Sequence, residues 1–309
     1  MKQRVGILVA TAVLGFSMVA LAQEKPPAQR TFDSPRAAAD AFVAACEAND
    51  TQALIDLFGP GYAAESERID DSEQRANRAS ISDMARQILR IEERGEGVRV
   101  ALLGSELWPF PVPIVLDGAR WRFDTEAGLD ELLKRRIGRN ELIAIDVCRA
   151  YVEAQIEYAA ADRDGDGTLE FAQQILSTSG KQDGLYWEVK PNSGDELSPF
   201  GPLLADADPK AIKSGQSQGY MGYHFRVITN QGKHAPGGKR AYIDGKNMTA
   251  GFALCAWPVD YLHSGVMTFM VNHLGAVYQK DLGVKTRNAA ERIKRFDPDT
   301  SWVLVANGP

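Results

Sequence analysis

An acidic stretch at residues 162–170, with the sequence DRDGDGTLE, carries the clearest chemical signal in this chain. Aspartates stand at alternate positions before a glycine, and a glutamate follows three residues later. Hard cations such as Ca²⁺ need several oxygen ligands from a tightly turned loop, and this spacing supplies the first, third and fifth ligand positions and the turn glycine. The spacing predicts a Ca²⁺ site with the candidate ligands Asp162, Asp164, Asp166, Thr168 and Glu170.

The match to a calcium-binding loop is partial. The twelfth position, where a bidentate glutamate is expected, is Gln173. Aspartate and glycine are also common residues of tight turns, because they tolerate the required backbone conformations. A solvated turn that binds no metal therefore stays open as the alternative.

A second candidate site is aromatic. Large rings stand at alternating positions in two predicted strands, namely Trp108, Phe110, Trp121 and Phe123, and the carboxylate of Asp124 is a polar group next to them. On the concave face of a curved sheet these side chains would line a pocket for a small molecule. The same period of two is what the core face of any half-buried strand shows, so core packing is the favoured interpretation.

Familiar catalytic patterns are weak in this sequence. Residues 215–219 (GQSQG) satisfy G-x-S-x-G, but a nucleophile elbow needs a preceding strand and a following helix, whereas here a polar loop precedes and a strand follows. The four histidines form no i,i+4 pair typical of a zinc site. We therefore predict no catalytic residues.

The N-terminal residues are typical of an export signal. Lys2 and Arg4 precede an apolar run that closes on Ala20-Leu21-Ala22, an A-x-A cleavage pattern. We expect a signal peptide over residues 1–22 that is cleaved after Ala22, a flexible leader over residues 23–30, and a periplasmic or secreted mature protein with no membrane span.

Charge and cysteine content narrow the function further. Loss of Lys2 and Arg4 with the signal peptide changes the formal net charge from −6 to −8. An acidic surface repels phosphate backbones, which argues against nucleic-acid binding.

The chain has three cysteines, Cys46, Cys148 and Cys255, which are widely spaced in apolar runs. We expect them to be buried thiols, although one disulfide between two of them stays open as an alternative.

The first half of the mature chain predicts an α+β domain over residues 31–136. Two capped helices, beginning at Pro35 and Thr51, are followed by a polar helical region over 66–94 and a turn. Three strands then follow at 98–103, 108–116 and 120–124, the last two joined by the turn pair Asp117-Gly118. This order of elements resembles the cone-shaped nuclear-transport-factor-2-like (NTF2-like) fold.

The second half, residues 137–309, predicts one long helix packed on a four-stranded antiparallel sheet. Asn140 is the expected N-cap of this helix, which ends before the acidic stretch. Strands are predicted at 220–228, 249–257, 265–272 and 276–281, followed by a helix near 287–296 and a short strand at 302–305. With the runs at 222–225, 264–269 and 275–279, this layout resembles pilin-like and pseudopilin-like domains.

Longer strings carry a second resemblance over nearly the whole mature chain. They are WPFPVP at 108–113, WRFDT at 121–125, RRIGRNEL at 135–142, DRDGDG at 162–167, GLYW at 184–187 and VYQKDLG at 277–283. On these strings the chain resembles a bacterial exported family, domain of unknown function 2950. The resemblance implies a similar exported protein and brings no catalytic residues with it.

These observations predict an exported, non-enzymatic interaction or scaffold protein of the cell envelope or periplasm that binds an envelope protein partner, with Ca²⁺ as its one candidate cofactor. The alternative hypothesis is a small-molecule-binding protein or enzyme that uses the aromatic pocket of the N-terminal domain. The two hypotheses differ in a testable way. An interaction protein should expose an apolar patch, whereas an enzyme needs titratable groups that meet in a cleft.

Overall fold

The computed structural model describes residues 29–60, 62, 71–189, 196–201 and 219–306. The predicted signal peptide, most of the predicted leader and Ser217 of the G-x-S-x-G motif lie outside these ranges. The chain divides into two compact units, Met1–Gly128 and Leu129–Pro309, whereas the sequence places the boundary after residue 136. The fold is α+β, and every ladder between its strands is antiparallel.

Local capping starts the helices of the N-terminal unit. The Ser34 hydroxyl accepts a hydrogen bond from the Ala37 amide at 3.1 Å, and Pro35 stands at the first helical position, where its missing N–H costs nothing. The elements are α1 Pro35–Glu47, α2 Thr51–Phe58, α3 Asp71–Gln87, β1 Leu89–Gly95, β2 Val98–Leu103, β3 Trp108–Pro109, β4 Ile114–Asp117 and β5 Arg120–Phe123. Gln29, the first described residue, donates from its amide to the carbonyls of Leu57 and Phe123, so the end of the predicted leader is anchored to this unit.

The sheet of this unit has the order β1-β2-β4-β5, and β3 pairs with β2. The predicted helical region over 66–94 is wrong in its last turns, because α3 ends at Gln87 and residues 89–95 form β1. Pairing with β2, from Leu89 opposite Leu103 to Glu93 opposite Arg99, satisfies the backbone groups that a longer helix would have paired internally.

The long helix α4, Thr125–Tyr158, begins well before the predicted start. Asp124 caps it by accepting a hydrogen bond from the Ala127 amide at 3.2 Å. Asn140 is therefore not an N-cap. It lies in the middle of the helix, where its side-chain amide donates to the Ser264 carbonyl at 2.9 Å, and the neighbouring Glu141 carboxylate accepts from the amides of residues 266 and 267.

The main sheet of the C-terminal unit has five strands, in the order β14-β13-β12-β11-β6. The strands of this unit are β6 Tyr223–Ile228, β7 Asn230–Gln231, β8 Arg240–Ala241, β9 Ile243–Asp244, β10 Asn247–Met248, β11 Ala253–Pro258, β12 Met267–Asn272, β13 Tyr278–Asp281 and β14 Val303–Leu304, and α5 is Thr286–Arg292. The short strand predicted at 302–305 is β14, and it pairs with Tyr278 and Gln279 as the fifth strand of a sheet that was predicted to have four.

The sheet and α4 share one hydrophobic core. Every residue of β11 is buried, and Tyr151 of α4 donates its hydroxyl hydrogen to the Ala253 carbonyl at 3.2 Å. No helix in the described part of the chain has both the length and the apolar character to cross a membrane.

Candidate metal centre

The acidic stretch forms a turned loop directly after α4. One Asp162 oxygen accepts a hydrogen bond from the Gly165 amide and the other from the Gly167 amide, both at 2.8 Å. Both glycines have positive φ values, +73° and +84°, which residues with a Cβ rarely adopt. The Gly-Asp-Gly sequence therefore lets the chain curl around the Asp162 carboxylate.

The loop brings its three aspartates together. One carboxylate oxygen from each of Asp162, Asp164 and Asp166 lies within 4.8 Å of the other two, and all three residues are at the surface. Within the described residues this is the one group of three or more acidic, histidine or cysteine side chains that could hold a metal ion. The structure thus places together the first, third and fifth predicted ligands.

The other two predicted ligands lie further along the loop. Thr168 donates its backbone amide hydrogen to Asp166 at 2.8 Å. Glu170 accepts from the Met248 amide at 3.1 Å and is not part of the group of three aspartates. Gln173 occupies the twelfth position, where a calcium-binding loop has a glutamate, and its side-chain amide donates to the Lys246 carbonyl at 2.7 Å.

A distant hairpin meets the loop at Asp166. Asp166 Oδ2 is 2.9 Å from the Lys246 ammonium and accepts a hydrogen bond from the Asn247 amide at 2.8 Å. Both residues belong to the tight β9–β10 hairpin. Sequence reasoning missed them, although Asp244-Gly245 is a turn signal that predicts this hairpin.

These contacts set the charge of the loop. The hydrogen bond from Lys246 holds the pKa of Asp166 well below its usual range. The Gly167 amide lowers the pKa of Asp162, whereas burial raises the pKa of Glu170. At neutral pH the loop therefore presents ionised carboxylates to solvent, which suits a hard divalent cation.

Two internal contacts hold the loop to the rest of its unit. Gln155 of α4 is fully buried and binds both backbone groups of Ala172, its Oε1 accepting from the amide and its Nε2 donating to the carbonyl, each at 2.8 Å. The Arg163 guanidinium makes two hydrogen bonds to Glu196 and lies over the rings of Tyr158 and Trp187. Arg163 is thus turned away from the aspartates.

The aromatic candidates of the N-terminal unit have different surroundings. Phe110 and Phe123 are buried and contact the rings of Phe42 and Phe58. Trp108 is 37% exposed, Trp121 lies under the Arg99 guanidinium, and Asp124 caps α4. The structure therefore brings Phe110 and Phe123 together in the core.

The four histidines lie in different surroundings. His224 is buried against Trp257, and His273 lies near Arg240. His234 lies near Asp297, and His263 lies near Asp260. The cysteines are buried free thiols, and none of the three forms a disulfide.

A shallow groove of about 360 Å³ lies beside the end of β11. Apolar side chains form much of it, and two of them are well exposed, with Val284 at 84% and Leu262 at 49%. Asp260 and Arg287 add one charge of each sign.

Comparison with known families assigns the chain. The model of the family described as "Protein of unknown function (DUF2950)" matches residues 29–305. The chain belongs to the DUF2950 family. The match spans both units of this DUF2950 protein and includes the acidic loop and the β9–β10 hairpin. No curated protein and no solved structure matches the chain.

Proposed function

We propose that this protein is an exported, non-enzymatic interaction protein of the cell envelope or periplasm, and that Ca²⁺ bound at residues 162–170 stabilises its C-terminal unit. The observation that carries the proposal is the convergence of Asp162, Asp164 and Asp166 within 4.8 Å. Ca²⁺ takes oxygen ligands at about 2.3–2.6 Å, so two ligands on opposite sides of one ion are about 5 Å apart. The three carboxylates thus fit around a single ion.

The position of the loop explains what the ion would do. The loop follows α4 and contacts the β9–β10 hairpin through Asp166 and Glu170. Carboxylates at this spacing repel one another, and a divalent cation would reduce that repulsion. Because the cation binds only the folded arrangement, it would stabilise the contact between loop and hairpin.

The groove beside β11 supports the interaction part of the proposal. Val284 and Leu262 expose apolar surface that the core does not use. The finer likenesses, of the N-terminal unit to an NTF2-like domain and of the C-terminal unit to a pilin-like domain, are proposals as well, supported by the order of elements. The aromatic pocket of the alternative hypothesis would require Phe110 and Phe123 to leave their core contacts.

Thermal unfolding with chelator and with 5 mM Ca²⁺ tests the cation site. Extracellular calcium modules bind with dissociation constants of about 10⁻⁴–10⁻³ M, so a site of about 0.5 mM would gain about 1.4 kcal/mol, or a rise of about 3–6 °C in Tm. Asp164→Asn should abolish the rise. Asp146→Asn, at an exposed aspartate on α4, is the matched control and should keep it. An unchanged wild-type Tm, or a rise that survives Asp164→Asn, would contradict the site.

A further inference from the structure

The acidic loop supplies only one side of the candidate cation site. Asp166 Oδ2 contacts Lys246 Nζ at 2.9 Å and Asn247 Nδ2 at 2.8 Å. A positive charge and a side-chain amide from 80 residues further along the chain thus contact a carboxylate oxygen of the candidate site.

The Lys246 ammonium is a cation already bound to the loop. It carries three donors and no acceptor, so it can interact with the carboxylates but cannot coordinate a metal while charged. Its side chain is 73% exposed, and its four-carbon stem is flexible. A cation bound to Asp166 would repel the nearby Lys246 ammonium. Because the Lys246 side chain is flexible, it can rotate into solvent with little loss of free energy.

Asn247 is held in place and has an unused oxygen. The residue is only 9% exposed, and its Oδ1 is buried with no hydrogen-bond partner among the described residues. A buried acceptor without a donor is unfavourable. A half-turn of the amide group would exchange its two ends and place Oδ1 beside Asp166 Oδ2. An amide oxygen there is a suitable Ca²⁺ ligand.

We propose that the β9–β10 turn is the second half of the cation site. Lys246 competes with Ca²⁺ for Asp166, and Asn247 contributes an amide oxygen ligand when Ca²⁺ displaces the ammonium. This inference rests on the proposed Ca²⁺ site and adds a regulator of its affinity. In the structure the amide nitrogen of Asn247, and not its oxygen, contacts Asp166, so the ligand role requires the half-turn of the amide group.

Calorimetric titration of the whole purified protein with Ca²⁺ tests the competition. Lys246→Met keeps the length of the side chain and removes its charge, so it should bind Ca²⁺ about fivefold more tightly than wild type. Lys239→Met is the matched control, because among the described residues Lys239 forms no ion pair with the loop. Its affinity should stay within about twofold of wild type, since an exposed charge without an ion pair to the loop is screened by salt.

Two substitutions of Asn247 test the ligand. Asn247→Ala removes the oxygen and should weaken binding about tenfold, the low end for loss of a group at a metal site. Asn247→Asp keeps an oxygen but cannot donate to Asp166, so it should bind at least as tightly as wild type. If Asn247 is not a ligand, Asn247→Ala binds Ca²⁺ at least as tightly as wild type, which overturns the ligand role.

The results separate this inference from the proposed function. Tighter binding by Lys246→Met supports the competition, including the case in which only that variant binds measurably. Unchanged or weaker binding by Lys246→Met, with a wild type that binds, overturns the competition and leaves the loop as a cation site. Absence of binding by both proteins overturns the cation site itself. Melting curves in chelator establish that each variant is folded.

Discussion

Gln155→Leu tests how the acidic loop is held to α4. Gln155 is fully buried, and its side-chain amide satisfies both the N–H and the C=O group of Ala172, each at 2.8 Å. Its Nε2 also donates to the Tyr151 hydroxyl at 2.9 Å. Leucine has a similar volume but no polar atom, so the substitution removes these bonds and creates little cavity.

The expected loss of stability follows from the two backbone groups of Ala172 that are left without a hydrogen-bond partner. Ala172 is 1% exposed, so water cannot replace the lost partners. A buried polar group left without a partner costs about 1–3 kcal/mol, which gives about 4 kcal/mol for the two. In a unit of this size each kcal/mol shifts Tm by about 2–4 °C, so the C-terminal transition should fall by about 8–16 °C.

Scanning calorimetry in chelator measures this transition apart from any effect of metal. Tyr151→Phe removes only the 3.2 Å bond to the Ala253 carbonyl and the acceptor for Gln155, so a smaller loss of about 1 kcal/mol is expected. Gln52→Leu, at an exposed position of α2, is the matched control and should change stability by less than about 0.5 kcal/mol. A Gln155→Leu protein that melts within about 2 °C of wild type would refute the reasoning.

Further measurements test other parts of the fold. Gly138→Ala in α4 should raise the free energy of unfolding in urea by about 0.5–1 kcal/mol, because a Cβ at this position meets nothing within 4 Å. Gly128→Ala should lower the free energy of unfolding, because its Cβ would lie 2.6 Å from Val112. Equal effects of the two substitutions would contradict this reasoning. Burial lowers the pKa of His224 from 6.5, so the stabilisation from the neutral imidazole is complete above pH 6.5 and is lost as the pH falls through the folded-state pKa. His224→Phe should therefore flatten that part of the curve of Tm against pH. An unchanged slope would argue against this role of His224. Burial also raises the thiol pKa of Cys255 to about 12, and a thiol reagent at pH 8 should modify the buried cysteines only as fast as the protein unfolds; rapid labelling of the folded protein would contradict the burial of Cys46, Cys148 and Cys255.

Local patterns were enough to predict many elements of the fold. The start of α1 follows from Ser34 and Pro35, and the β4–β5 hairpin follows from Asp117-Gly118, where Gly118 has a φ of +63°. These signals depend on neighbouring residues alone, so a sequence contains all of the relevant information.

Elements that depend on distant partners were predicted less well. Strand β1 has charged residues at 90, 92, 93 and 94 and resembles a polar helix, but its backbone pairs with β2. The start of α4 was missed because Asn140 looks like a cap, while its actual partner is the Ser264 carbonyl, 124 residues away. Tertiary pairing overrides local propensity at both places.

The same division applies to the candidate metal centre. The convergence of Asp162, Asp164 and Asp166 follows from alternate spacing before a glycine. The contacts of Lys246 and Asn247 with Asp166 could not be predicted, because no local pattern specifies which distant turn meets the loop.

The position of Arg163 has a consequence for hydrogen exchange. Its side chain is 4% exposed, and its guanidinium joins the loop to Glu196, Tyr158 and Trp187, while Trp187 donates its indole N–H to the Glu196 carbonyl at 3.0 Å. None of these segments can separate from the others without exposing a buried charge and two aromatic rings. The end of α4, the acidic loop and the segment around Trp187 should therefore open as one cooperative unit, whose amide protons share one free energy of opening in hydrogen exchange.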